Sequence, residues 1–182
     1  MNIFNKTIYN ILCLSRNKTI LNLVNTIGNI DDYNIIVPNL YLGNINYANN
    51  IEFLNKHNIG AILNCTENEP FNEYFEDKYK HRLSVNDSKN NENINKFKLE
   101  IINCINFIEY CLDRNIPIYI HCYWGLMRSA TVVTCYLIKK YNIPYEDAIN
   151  IIKEQRPYAL SSLYNFNEII EYVYEIYKND KV

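Results

Sequence analysis

The sequence predicts an α/β domain with a central, mostly parallel mixed sheet of about five strands and helices on both faces. Short β-rich runs, Gly60 to Cys65 (GAILNC) and Asn115 to His121 (NIPIYIH), are too brief for helices and read as buried strands. Longer stretches carry apolar residues three or four apart, the spacing of a helix with one buried face. The two kinds of segment alternate along the chain, which is the pattern of helices layered on a parallel sheet. At 182 residues and 21.7 kDa the chain has room for one such domain and is too short for two.

Residues 1–30 space Ile8, Ile11, Leu12, Leu21, Val24 and Ile27 as a helix would and then break at Gly28, so they read as a helical appendage to a domain of residues 31–182. Ile35 to Gly43 (IIVPNLYLG) reads as extended chain interrupted by Pro38. Asn44 to Asn58 suits a helix with Ile51 and Leu54 inward, and GAILNC follows as a strand. Tyr79 to Val85 alternates enough to be another strand. A long helix then places Ile94, Phe97, Ile101, Ile105, Ile108 and Leu112 on one face, with Cys104 and Cys111 beside the stripe as core residues. NIPIYIH is the central strand. From Arg128, the residues Val132, Val133, Tyr136, Leu137 and Lys140 keep helical spacing. Pro144 opens a further helix with Ala148, Ile151 and Ile152 inward, Pro157 ends it, and a last helix runs from about Ser162 to Tyr177.

A net charge of −2 and a pI near 5.9 give no electrostatic reason to expect nucleic acid or an anionic membrane as partner. The interrupted apolar runs of the first 24 residues neither span a bilayer nor form a signal-peptide core. Six cysteines without a Cys-x-x-Cys pair favour neither a zinc site nor a disulfide scaffold, and a reducing, cytoplasmic setting fits best. The 31 Asn, 28 Ile and 17 Tyr read as the product of AT-rich coding, which devalues the four Asn-x-Thr/Ser sequons as glycosylation signals.

The chemistry concentrates in His121 to Ala130, HCYWGLMRSA. In an open α/β sheet, ligands collect where a strand ends and the next helix begins, and Cys122 to Arg128 occupies such a turn. Converging amides and the helix dipole favour an anion there and lower a thiol's pKa from its free value of about 8.5. Gly125 allows the backbone to wrap without a Cβ clash. Arg128 offers a planar pair of donors to two oxygens of a phosphate. The plainer alternative is a buried core cysteine with an arginine at a helix start.

Cys122 and Arg128 with five residues between, His121 before them and Ser129-Ala130-Thr131-Val132 after, resemble the signature of the cysteine-dependent dual-specificity protein phosphatases. The resemblance extends from about Ile36 to Tyr174 through Leu40-Tyr41-Leu42-Gly43, Ile62-Leu63-Asn64 and Arg156-Pro157. It implies a dual-specificity/tyrosine phosphatase-like fold and hydrolysis of phosphotyrosine and phosphoserine/threonine in phosphoprotein substrates. It also implies a phosphocysteine on Cys122, Arg128 on the phosphoryl oxygens, Ser129 stabilising the departing thiolate, and His121 organising the loop and tuning the thiol. No cofactor and no metal are implied. Ser84-Val85-Asn86-Asp87-Ser88 resembles the family's general-acid loop and makes Asp87 the acid and base; Asp77 and Glu92 stand outside that pattern, and a loop Asp before a helix also suits an N-cap.

Tyr123, Trp124, Gly125, Leu126 and Met127 line the implied phosphate loop, where family members usually carry small or polar residues. The absence of Lys or His among them argues against a lipid phosphatase or RNA 5′-phosphatase of the same superfamily. Ser161-Ser162 stands where the family shows Pro-Asn, which removes any helper role of that Asn and lowers the expected activity. The rival reading is a catalytically weak phosphate-binding pseudophosphatase, which loss of the nucleophile or acid would signal, and both are present. Relatives also imply Cys65 as a redox partner of Cys122, against its reading as a small buried residue. Tyr9, Leu12 and Arg16 faintly resemble the N-terminal helix of poxvirus enzymes, which implies a homodimer through that helix and, for a viral protein, the host cytoplasm or the virion.

Overall fold

A computed structural model describes residues 33–88, 90–161 and 166–178. The appendage expected over residues 1–30, and with it the proposed dimer contact, lies outside the described residues. So does Ser162, the expected start of the last helix.

Strand β1 (Tyr33–Val37) turns back antiparallel onto β2 (Leu40–Gly43). The single extended run expected over Ile35 to Gly43 is a hairpin because Pro38 lacks an amide for a ladder and Asn39 takes a left-handed φ of 65°. Strand β2 pairs in parallel with β5 (Ile118–His121), β5 with β3 (Ala61–Asn64), and β3 with β4 (Lys80–Arg82). The order is β1-β2-β5-β3-β4, so the strand leading to Cys122 is central, as expected. Every residue of β2, β3 and β5 is buried, which explains why these runs are mainly apolar without alternation. Strand β4 is shorter than the expected Tyr79 to Val85. Beyond the bond from Leu83 N to Asn64 O at 3.0 Å, β3 gives way to a loop and leaves no parallel partner.

One face carries two short helices, α1 (Ile45–Ala48) and α2 (Ile51–Lys56), rather than one helix over Asn44 to Asn58. Asn44 and Asn50 each cap a helix with the side-chain oxygen, and the extended backbone at Asn50 restarts the second. The restart buries Phe53 and Leu54 against the sheet and leaves Ile51 45 % exposed, correcting its expected inward position. Tyr41, Ile62 and Tyr119 complete this smaller core.

The opposite face carries α3 (Asn91–Leu112), α4 (Arg128–Tyr141), α5 (Tyr145–Gln155) and α6 (Asn167–Tyr177). Helix α3 buries the expected stripe as far as Ile108, with Cys104 and Cys111 inside it, while Leu112 at its end is only partly buried. Helix α4 is buried without interruption from Arg128 to Ile138, because it contacts β5 and the other three helices of this face. Helix α5 buries Ala148, Ile149 and Ile152, while Ile151 packs only partly against the core. Truncating Phe97, central to this larger cluster, costs about 3–5 kcal/mol by the usual cavity and transfer terms.

The asparagines that read as coding bias have structural uses. Asn44, Asn50 and Asn90 cap helices, and Asn39, Asn58, Asn115 and Asn142 occupy positive-φ positions that most side chains avoid. Among the described residues no helix is long and apolar enough to cross a membrane.

Candidate active site

The carboxyl ends of the three buried strands are level: Gly43 and Asn64 stand in register on either side of His121. The chain leaves this row through Cys122 and a turn that enters α4 at Arg128. Gly125 has a φ of +70°, and a Cβ there would stand 2.3 Å from the carbonyl oxygen of Gly43. Glycine is therefore required twice over, by dihedral angle and by space.

Four successive carbonyls of this turn face outward into the protein. Tyr123 O accepts from Ile45 N at 3.2 Å, Trp124 O from an Nη of Arg156 at 3.2 Å, Gly125 O from Arg156 Nε at 2.8 Å, and Leu126 O from Leu160 N at 2.8 Å. Because amide and carbonyl of one peptide point oppositely, pinning carbonyls outward turns amides inward, the arrangement that binds anions. The Gly125 amide donates to Cys122 Sγ at 3.2 Å. Arg156 is buried and also donates to Asn34 Oδ1 at 2.7 Å.

Cys122 itself is 2 % exposed. Burial, the largest single influence, pushes its thiol up. The Arg128 guanidinium and the hydroxyl and amide of Ser129 together outweigh burial, even against the raising effect of Asp87, and the pKa lies below its ordinary value. The Ser129 hydroxyl donates to Sγ at 3.3 Å. Arg128 is buried with an Nη donating to Val85 O at 3.2 Å, which ties the start of α4 to the loop that carries Asp87.

His121 is held down to about 4 by burial, so it is neutral near pH 7 and lends no positive charge to the thiol. Its Nδ1–H donates to Cys122 O at 3.2 Å, and its ring stacks on Tyr119 at 5.9 Å. Its influence on the loop is therefore positional. Cys65 follows β3, is buried, and donates its amide to His121 O at 2.7 Å. Burial, then the neighbouring thiols of Cys104 and Cys122, push the Cys65 thiol well up.

A cavity of about 150 Å³ opens beside this turn. Tyr123 and Trp124 line it with Arg128, whereas Leu126 and Met127 are buried in the core behind the loop. Val85 to Asp87 form a second wall and Thr66 to Glu69 a third. The third wall is braced from behind. Arg82 donates to the carbonyls of Thr66 (2.7 Å) and Glu69 (2.8 Å), and Asn64 Nδ2 donates to Glu69 O at 3.0 Å.

Asp87 thus shares a cavity with Arg128. The two sequence alternatives do not: Asp77 is paired with Lys80 at 3.0 Å on the surface, and Glu92 is exposed in the first turn of α3. Nor does Asp87 cap α3, because Asn90 does so, accepting from Asn93 N at 2.8 Å. The buried side chain of Asn93 brackets Asp87. Its Oδ1 accepts from Asn86 N at 2.8 Å, and its Nδ2 donates to Asn86 O at 2.9 Å and Ser88 O at 2.7 Å.

Sequence reading did not find three supports: Arg156 under the turn, Asn93 behind Asp87, and the Arg82–Asn64 brace. Arg156 is quoted in a motif, but its contact lies 31 residues away. Asn64 and Asn93 are hidden among 31 asparagines.

The Cys122 thiol, its pKa below the ordinary value, thus stands in a strand-to-helix turn beside a cavity that Asp87 and Arg128 line together. The family model for the catalytic domain of dual specificity phosphatases matches residues 40–175, and the chain belongs to that family. Human dual specificity protein phosphatase 9 is 35% identical over 132 residues, covering 72% of this chain and 33% of that protein. Human dual specificity protein phosphatase 16 is 30% identical over 138 residues, covering 75% of this chain and 20% of that protein. The chain therefore spans a third or less of the length of these two curated relatives. Among solved structures, DUSP15 superposes with a TM-score of 0.67 at 26% identity, covering 81% of this chain and 88% of that one. A mouse putative dual specificity phosphatase solved with zinc tungstate shares the fold, with a TM-score of 0.66 at 20% identity, covering 81% and 86%.

Proposed function

We propose that this protein is a protein phosphatase that hydrolyses phosphotyrosine and phosphoserine/threonine through a phosphocysteine. The observation that carries the reading is the Cys122 thiol, held down by Arg128 and Ser129 in a turn whose carbonyls are pinned outward. In the first step the Cys122 thiolate attacks phosphorus, the S–P bond forms, and the bond to the leaving oxygen breaks as Asp87 gives that oxygen a proton. Arg128 and the loop amides hold the other phosphoryl oxygens, where charge develops. In the second step the Asp87 carboxylate takes a proton from water, the new P–O bond forms, and the thiolate leaves toward the Ser129 hydroxyl. Inorganic phosphate departs and Asp87 is again protonated. The scheme calls on no metal and no cofactor.

Phosphoprotein substrates suit the cavity better than polyanionic lipids or RNA ends. Among the described residues, Glu67, Glu69 and Asp87 line it with a single cation, Arg128. One phosphoryl group is neutralised locally, while a second would meet carboxylates.

Turnover of an aryl phosphate by the wild type, Cys122→Ser and Asp87→Ala tests the reading. Cys122→Ser is expected to lose about ten-thousand-fold or more, and Asp87→Ala about a hundredfold. Equal rates in all three proteins would defeat it, and binding without turnover in the wild type would make the protein a phosphate-binding pseudophosphatase.

A further inference from the structure

We propose that Asn93 is the positioning residue of the general acid, a role that rests on the assignment of Asp87 as that acid. Asp87 is in a loop whose neighbours Asn86 and Ser88 are both tied to one side chain. Asn93 accepts from the amide of Asn86 and donates to the carbonyls of Asn86 and Ser88, at 2.7 to 2.9 Å. A primary amide alone among uncharged side chains offers an acceptor and two donors on one flat group, so the three bonds define the path of the backbone on both sides of Asp87.

The anchor is itself fixed. Asn93 is 5 % exposed in the first turn of a 22-residue helix. Ile94 and Phe97, in the next turn, are buried in the core. The staple therefore transmits the rigidity of α3 to a loop that Arg128 also ties to the site at Val85 O. A proton donor must stand within hydrogen-bond reach of the leaving oxygen, and loss of the staple displaces it without removing the carboxyl group.

This role makes a signature that a general loss of stability does not. Protonation of the leaving group matters for phosphotyrosine and hardly at all for dinitrophenyl phosphate, whose phenolate departs unaided. Asn93→Ala is expected to lower kcat/KM on a phosphotyrosine peptide by about tenfold or more, within the hundredfold range of general-acid effects. On dinitrophenyl phosphate the same variant is expected to stay within about twofold, because Cys122 and Arg128 are undisturbed. Asn90→Ala is the control for a loosened helix start. It removes the cap from the same turn and touches neither Asn86 nor Ser88, so the ratio between the substrates should not move.

Asp87→Asn, measured on the same pair of substrates, separates the two levels of the argument. If Asp87→Asn shows no selective loss on phosphotyrosine, the assignment of the acid fails and the staple has nothing to position. If Asp87→Asn shows that loss and Asn93→Ala does not, the acid stands and the positioning role is overturned. An equal ratio shift in Asn90→Ala and Asn93→Ala also overturns it, since the cause is then the frayed end of α3.

Discussion

The two loops that meet at the cavity are held in different ways. Between Tyr123 and Leu126 each carbonyl is bound by a donor from a distant part of the chain: Ile45, Arg156 twice, and Leu160. Between Val85 and Ser88 the backbone is bound by Asn93, by Arg128 at Val85 O and by the nearby Leu83 O at Val85 N, and Asn86 is exposed. The difference follows the chemistry each loop is proposed to do. A thiolate needs amides already oriented before substrate arrives, because reorienting them during reaction would cancel their electrostatic value. An acid that later takes a proton from water needs reach and access more than enclosure.

The largest way to break this contrast is Gly125→Ala. The added Cβ would sit 2.3 Å from Gly43 O at a φ of +70°, so either the turn or the end of β2 must move. We expect turnover to fall about a thousandfold on any aryl phosphate, as when oriented donors are lost, with no preference by leaving group. Steady-state kinetics on phosphotyrosine and dinitrophenyl phosphate check this, and a selective loss on phosphotyrosine alone would contradict it.

Arg156→Met sharpens the comparison at a smaller scale. It removes the donors to Trp124 O, Gly125 O and Asn34 and keeps a buried apolar stem. The carbonyls left behind cost about 2–4 kcal/mol of stability, the scale of charged hydrogen bonds lost in a buried site. Urea unfolding measures that loss. Turnover of the folded variant is expected to fall equally on both substrates, opposite to the selective loss expected of Asn93→Ala.

How much of this was legible in the sequence depends on whether the signal is local. The central strand, α3, and the strand-to-helix turn are written in contiguous runs, NIPIYIH and HCYWGLMRSA, and were read where they stand. Boundaries set by a single residue's geometry were not. Pro38-Asn39 made a hairpin of an extended run, Asn50 broke one helix into two and turned Ile51 outward, and β4 ended where its partner did. Cys122, Arg128 and Asp87 stand in short contiguous motifs that resemble the family's, and the resemblance names them. Arg156 and Asn93 act through bonds to backbone atoms that no pattern of side chains announces, and for Asn93 the abundance of asparagine removes whatever contrast its identity would have offered.

The smallest effect is expected from Ser129→Ala. Burial pushes the Cys122 thiol up, and Arg128 together with the Ser129 hydroxyl and amide brings it below its ordinary value. Alanine removes the hydroxyl donor at 3.3 Å and leaves Arg128 and the amide in place. The thiolate loses a hydrogen bond to its charge, a contact worth about 1.5 kcal/mol or a factor of about ten, and its pKa rises. The reactive form is the deprotonated one, so the acid limb of kcat/KM moves to higher pH. At a pH below the limb the variant is slower by about tenfold, and above it the two proteins converge. A pH profile of kcat/KM on dinitrophenyl phosphate isolates this shift from anything Asp87 does. An unmoved acid limb would assign the low thiol pKa to Arg128 and the backbone amides alone, making the nucleophile loop still less dependent on any single side-chain hydroxyl than the acid loop is on Asn93.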